Sequence, residues 1–324
     1  MLEIKYYVKR LSVILITVAL IAGMVGCSPS PQHVEIRDWY DLDAIRDKLG
    51  GSYLLMNDLD STTPGYEELA SETANEGKGW QPIGAPANPF TGTFDGQGYE
   101  IRDLFANRPA ERDVGLFGAV GEGGAIKDIG VVNADVTGQW YIGNLVGTHY
   151  GTVSNSYSTG NVTGEGYVGG LVGGSGGTVG NSYFTGSVTG DTHVGGLVGG
   201  NAGTVSNSYS TGNMTGDSHV GGLVGGSDGT VSNSYSTGGV IGNSEVGGLV
   251  GWSDGTVSNS FWDTETSGQT ASVGGIGKIT AEMQDSDTFS GVGWNITAVA
   301  LNQTNPAYIW NIVNGVTYPF LSWQ

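Results

Sequence analysis

Two short words in this chain have the composition of a metal or acid–base site. Asp191-Thr192-His193 and Asp217-Ser218-His219 are 26 apart in the numbering, and Asn243-Ser244-Glu245 continues the same column. Stacking at strand spacing would bring His193, His219 and Glu245 within about 5–10 Å, and imidazole with carboxylate suits zinc or another transition metal. The column also holds Tyr141 and Tyr167, so a solvated turn with variable polar residues accounts for it more simply. No metal or other cofactor is assigned. Asp228 and Asp254 form a second pair at the same interval. Glycoside hydrolysis needs two carboxyl groups about 5–10 Å apart. Both aspartates sit in Ser-Asp-Gly, which is turn chemistry, so no catalytic residue is assigned. The zinc-protease word H-E-x-x-H and the P-loop are absent. Residues 128–277 contain no Lys or Arg to serve as the base of a polysaccharide lyase.

A third column is aromatic: Tyr157, Tyr183, Tyr209, Tyr235 and Phe261. Outward rings repeated at this interval would form a strip able to stack on sugar rings or on a partner surface. The orientation hangs on the asparagine two residues earlier. With unbroken strand parity from Val231, Tyr235 points inward; with a corner at Asn233, it points out. This column is the candidate ligand-facing site, with both orientations open.

The elements that must position these columns repeat with a fixed period. Leu145, Leu171, Leu197, Leu223 and Leu249 are 26 apart, as are Val153, Val179, Val205, Val231 and Val257. Val136, Val162, Val188, Met214 and Val240 keep the same step. Such a period marks a solenoid. Within one repeat, short β-branched runs alternate with glycine and Asn-Ser clusters, the signals of strands and tight turns. The expectation is about three short strands per repeat, each pairing in parallel with its equivalent one coil on. The fold class is all-β: a right-handed parallel β-helix of 26-residue coils, with handedness taken from the general chirality of parallel crossovers. Asn155, Asn181, Asn207, Asn233 and Asn259 are expected to form a corner ladder of stacked amides.

The words GGLVGG and GTVSNSYSTGNVTG resemble the GLUG motif, named for Gly-Leu-any-Gly. The resemblance covers roughly residues 114–277, with VGLFG at 114–118 as a divergent first copy and WQPIG and FTGTFDGQGYEIRDL leading in. It implies a β-solenoid outside the cell. The motif occurs in adhesin-like proteins and in the non-catalytic part of some IgA1-cleaving metallopeptidases, so it implies no single activity.

Residues 1–27 have the order of a secretory signal: Lys5, Lys9 and Arg10, an apolar run from Leu11 to Val25, then Gly26 and Cys27. The small residue before the only cysteine resembles a prokaryotic lipobox, with Met24 where leucine is more usual. The resemblance implies cleavage before Cys27 and lipidation of its sulfur, placing the chain on the cell surface or outer envelope with a membrane partner. Without residues 1–26 the chain carries 9 basic and 30 acidic residues, which excludes a nucleic-acid partner.

The expected organisation is a signal peptide over 1–26, a tether over 27–33, an N-terminal cap and irregular first coils over 34–113, repeats over 114–277, and a C-terminal cap over 278–324. Trp39, Leu42, Ile45 and Leu49 predict a short helix in the first cap. Phe289, Trp294, Tyr308, Trp310, Tyr318, Phe320 and Trp323 suit a plug over the last coil. The functional expectation is a non-enzymatic, lipid-anchored adhesin-like or scaffold module with a glycan or surface-protein ligand. The alternative is a carbohydrate-binding or carbohydrate-degrading β-helix.

Overall fold

A computed structural model describes residues 33–324. The signal peptide over 1–26, the lipidation residue Cys27 and the tether up to residue 32 lie outside the described residues. Short, valine-rich strands joined by glycine and Asn-Ser turns cannot bury a face alone. They stack instead into a parallel β-solenoid whose coils repeat at the expected interval.

Each coil contributes to four sheets. In one coil the strands are Ser218–Gly221 (sheet I), Val224–Ser227 (sheet II), Thr230–Ser232 (sheet III), and Tyr235–Ser236 with Val240–Ile241 (sheet IV). Each pairs in parallel with the equivalent strand one coil earlier: Thr192↔Ser218, Val198↔Val224, Thr204↔Thr230 and Tyr209↔Tyr235. Sheets I and II hold six strands each, sheet III nine and sheet IV eleven.

The count of four sheets corrects the expected three strands, because the G-x-L-V-G word is a bend. Its leucine points inward and is fully buried in every coil from Leu145 to Leu249. The bend is itself hydrogen-bonded from coil to coil. The Leu197 carbonyl accepts from the amides of Leu171 and Val172, at 3.0 and 3.1 Å. The Leu249 carbonyl accepts likewise from Leu223 and Val224.

The lumen is filled by those leucines and by the predicted valine columns. Val153, Val179, Val205 and Val231 are fully buried. The asparagine column makes the corner into sheet IV, with left-handed φ of 48, 50, 49, 48 and 46° from Asn155 to Asn259, a conformation asparagine tolerates. Its amides bond only near the top. Asn181 Nδ2 donates to Asn155 Oδ1 at 3.2 Å, and Asn155 Nδ2 to Asp128 Oδ1 at 2.9 Å, whereas Asn233 Oδ1 is buried without a partner.

The continuous polar ladder belongs to the next residue, serine. The amides of Ser156, Ser182, Ser208 and Ser234 donate to the hydroxyl one coil on, at 3.1–3.2 Å. Each hydroxyl from Ser156 to Ser260 donates in turn to the carbonyl two residues before it, at 2.7–2.8 Å. All five serines are fully buried, so this ladder satisfies backbone groups that water cannot reach.

The N-terminal cap contains the expected helix, Trp39–Asp43, continued by a 3-10 turn, Ala44–Asp47. Asp38 caps it by accepting from the Asp41 amide at 2.8 Å. Trp39, Leu42 and Ile45 are fully buried.

At the other end, backbone covers the last coil. Ala271 O accepts from Gly248 N, and Ser272 Oγ accepts from Leu249 N and Val250 N. The aromatic-rich C-terminal segment lies along the outer flank of sheet IV. It holds two short helices, Thr280–Met283 and Ser286–Ser290, and a sheet of Ile296–Ala298, Trp310–Ile312 and Phe320–Leu321.

His149 sits at the corner between sheets II and III. It is fully buried, with Nε2 3.1 Å from Ser175 Oγ and Nδ1 without a partner. Burial lowers its pKa from about 6.5 to about 4. The folded state therefore binds fewer protons than the unfolded state between those values. Stability is full above about pH 6.5 and falls as pH drops, by about 3 kcal/mol at pH 4 from this residue alone. Urea unfolding at pH 7 and pH 4.5 measures it. His149→Asn, which copies Asn201 in the same column, should show a visibly smaller loss; an equal loss in both proteins would remove His149 as the cause.

Candidate functional site

The Asn corner decides the orientation of the Tyr column. After each left-handed asparagine the strand parity shifts. Phe184, Ser210, Ser236 and Trp262 enter the lumen against Gly170, Gly196, Gly222 and Gly248, and the preceding rings point out. They stack almost in parallel: Tyr157–Tyr183 at 4.8 Å, Tyr183–Tyr209 at 4.9 Å and Tyr209–Tyr235 at 5.0 Å.

Outward does not mean open. Tyr209, Tyr235 and Phe261 are buried beneath the C-terminal segment, in a second core with Phe289, Trp294 and Trp310. Tyr235 Oη donates to Pro319 O at 2.5 Å, and Gln324 Nε2 donates to Tyr209 Oη at 2.8 Å. This corrects the expectation that these three rungs face a ligand: they dock the C-terminal segment. Tyr157 and Tyr183 are only partly covered, beside Trp323. Tyr157 bonds Glu100 and, with burial as the larger cause, its hydroxyl is held far above its ordinary pKa.

The open aromatic surface lies where sheets I and II meet. In every sheet I strand one residue adopts left-handed φ: Asp113, Tyr141, Tyr167, His193, His219 and Glu245, at 52–62°. The pairing skips this residue, as in Trp140↔Gly166 and Ile142↔Val168, and its side chain projects outward. For a tyrosine the conformation costs about 1–2 kcal/mol.

The side chains form one stack. Arg112 lies over Tyr141, its guanidinium carbon 5.3 Å from the ring centre. Tyr141–Tyr167 are 4.7 Å apart, Tyr167–His193 4.4 Å and His193–His219 4.4 Å. His219 Nε2 is 2.6 Å from Glu245 Oε2, closing the lower end. Burial, reinforced by His219, lowers the His193 pKa to about 4, so this ring is neutral at pH 7.

The two imidazoles meet face to face at an interplanar angle of 12°. Their Nδ1 atoms approach Thr192 Oγ1, at 2.9 and 3.4 Å. Among the described residues no group of three His, Cys, Asp or Glu side chains converges to hold a metal. The column is a ring stack, not a turn of variable polar residues.

Tyr141, Tyr167 and His193 each lie against a glycine of the next coil. A Cβ at Gly174, Gly200 or Gly226 would meet Tyr141, Tyr167 or His193 at 2.8, 2.5 and 2.7 Å. At the fourth position of that column stands Trp252, edge-on to His219 at 6.1 Å. These contacts bound a groove of about 790 Å³ running along the coil axis. Its far rim carries Tyr150, Gly176, Ala202 and Asp228, and Tyr150 is 60% exposed.

Two carboxylates line the groove. Asp113 accepts from Thr148 Oγ1 at 2.5 Å, and burial raises its pKa. Asp228 follows Gly226, three coil rises beyond the Thr148 that Asp113 bonds, or about 14 Å along the axis at strand spacing. That exceeds the separation of about 5–10 Å used in glycoside hydrolysis. Asp254, the sequence partner of Asp228, does not line the groove.

A parallel β-solenoid with a longitudinal groove is the class of protein that fold and site define. Residues 190–215 match the family model described as the GLUG motif, so the chain carries that repeat. A provisionally named Gly-rich membrane protein of Evansella cellulosilytica is 33% identical over 145 residues, covering 42% of this chain and 15% of its own. Halomucin of Haloquadratum walsbyi is 36% identical over 137 residues, covering 42% of this chain and 1% of its own. The chain thus spans a small fraction of these relatives. Among solved structures, a provisionally assigned immunoglobulin A1 protease of Bacteroides ovatus superposes with a TM-score of 0.62 and 20% identity, over 92% of this chain and 94% of that one. At that identity the likeness carries the fold alone. Among the described residues no helix is long and apolar enough to cross a membrane.

Proposed function

We propose that this protein is a non-enzymatic, lipid-anchored surface module, adhesin-like in action, that presents its groove to a ligand outside the cell. The observation that carries the binding role is the groove: ring-walled, glycine-floored, and with its two carboxylates too far apart for paired acid–base work. The signal-peptide order of residues 1–27 and the lipobox-like Gly26-Cys27 support the anchor. The membrane and mucin names of the two relatives support a surface setting.

Fractionation of cells carrying the full chain tests the anchor. The native protein should sediment with membranes and be cut by protease added to whole cells. Cys27→Ser should pass into the soluble extracytoplasmic fraction. A native protein protected inside intact cells, or a Cys27→Ser protein still held in the membrane, would contradict the reading.

A further inference from the structure

The groove between sheets I and II has properties that narrow its ligand. It runs from Arg112 to Trp252, which packs beside His219, four coil rises on, or about 19 Å. That is the length of an extended polymer segment, longer than a compact cofactor. Its charge excludes polyanions: Arg112 stands against Asp113 and Asp228 in a chain of net charge −19.

Its floor excludes a peptide strand. The strands of sheets I and II cross the groove, and their amides and carbonyls pair from coil to coil along it. Among the described residues no open sheet edge faces the groove for a peptide to extend.

What the groove offers is aromatic surface, with the side chains of Tyr141, Tyr150 and Tyr167 among its lining. Tyr150 near one end and Trp252 at the other carry ring surface outside the self-stacked column. Sugar rings have apolar C–H faces that pack on such rings, and hydroxyl rims that bond to polar walls. The coil rise, about 4.8 Å, is close to the length of one pyranose unit. A chain of linked sugars laid along the axis would therefore advance one unit per coil over the floor of Gly174, Gly200 and Gly226.

We propose that this groove binds a single neutral polysaccharide chain, parallel to the solenoid axis, one sugar per coil. The proposal rests on the non-enzymatic binding reading above and adds its substrate class.

An array of neutral linear hexose oligosaccharides of graded length, followed by calorimetry on the best binder, tests it. Affinity should rise with length and level off at about five units, the number of coils spanned. Trp252→Ala and Tyr150→Ala should each weaken binding about tenfold. Ala202→Trp, which fills the groove from its exposed rim, should abolish binding with the melting curve unchanged. Asp254→Asn, outside the groove, should bind as the native protein does. No binding to any neutral oligosaccharide, binding only to acidic ones or to proteins, or binding indifferent to Ala202→Trp would overturn the proposal. Binding with release of reducing ends would support the ligand and contradict the non-enzymatic reading. Absent glycan binding with membrane retention intact would overturn the ligand alone.

Discussion

Replacing Tyr235 by alanine is expected to destabilise the C-terminal segment by about 3–5 kcal/mol, the usual cost of deleting a large buried aromatic side chain. The ring is 1% exposed. It stacks on Tyr209 at 5.0 Å and packs near Trp310 and Trp294, at 5.8 and 6.5 Å. It is thus a central member of the second core, which is separate from the lumen. Tyr235→Phe keeps the packing and removes one hydrogen-bond donor, leaving the Pro319 carbonyl without it, at a cost of about 1–3 kcal/mol. Because the two cores are distinct, the alanine variant should lose its flank before its coils. Trp294 and Trp310 fluorescence should shift at lower urea than far-ultraviolet circular dichroism. Coincident transitions at the native midpoint would show that Tyr235 does not hold the segment.

The parallel coil and its period were legible because lumen filling forces similar residues to recur at one fixed interval. The N-terminal helix was legible from Trp39, Leu42 and Ile45 at helical spacing. The facing of Tyr235 was not, because it depends on the sign of φ at Asn233, and asparagine adopts either sign readily. Nor was the destination of the aromatic tail. Its composition required a buried contact, but the outward tyrosines that supply one are set by the same corner.

The groove was hidden for a different reason. Tyr141, Tyr167, His193 and His219 differ in polarity, and their column reads as variable; what they share is a flat ring. Their floor, Gly174, Gly200 and Gly226, reads as part of the bend glycines. The contact spans one coil plus the step from sheet I to sheet II, as from Tyr141 to Gly174, which no single column displays. Trp252, a tryptophan following three glycines in its column, Gly174, Gly200 and Gly226, was the one sequence signal. The serine ladder was equally concealed, since a small residue beside asparagine looks like part of the turn.

The strongest consequence of the register falls on the coils themselves. Removing residues 195–220 takes out one whole period and joins Val194 to Gly221. The junction reads His-Val-Gly-Gly-Leu-Val-Gly-Gly, as in the native chain. Sheets I, II and III each lose one strand and sheet IV loses the pair Tyr209–Ser210 and Asn213–Thr215, and each remaining strand still meets its equivalent. Removing residues 195–207 takes out half a period and joins Val194 to Ser208. That coil then lacks its sheet II and sheet III strands, and valines that filled the lumen lose their places. Repeat stacks tolerate loss of a whole unit because stability is approximately a sum over units and their interfaces. The two deletions differ by only half a coil of similar sequence, so composition cannot account for divergent outcomes.

Thermal unfolding followed by circular dichroism, run on the native chain and both deletions, is the most direct test. The register predicts a cooperative transition from a β-rich state for the native chain and for the whole-coil deletion, and no cooperative transition for the half-coil deletion. Equal unfolding behaviour of the two deletions, whether both fold or both fail, would contradict a solenoid built on a 26-residue register.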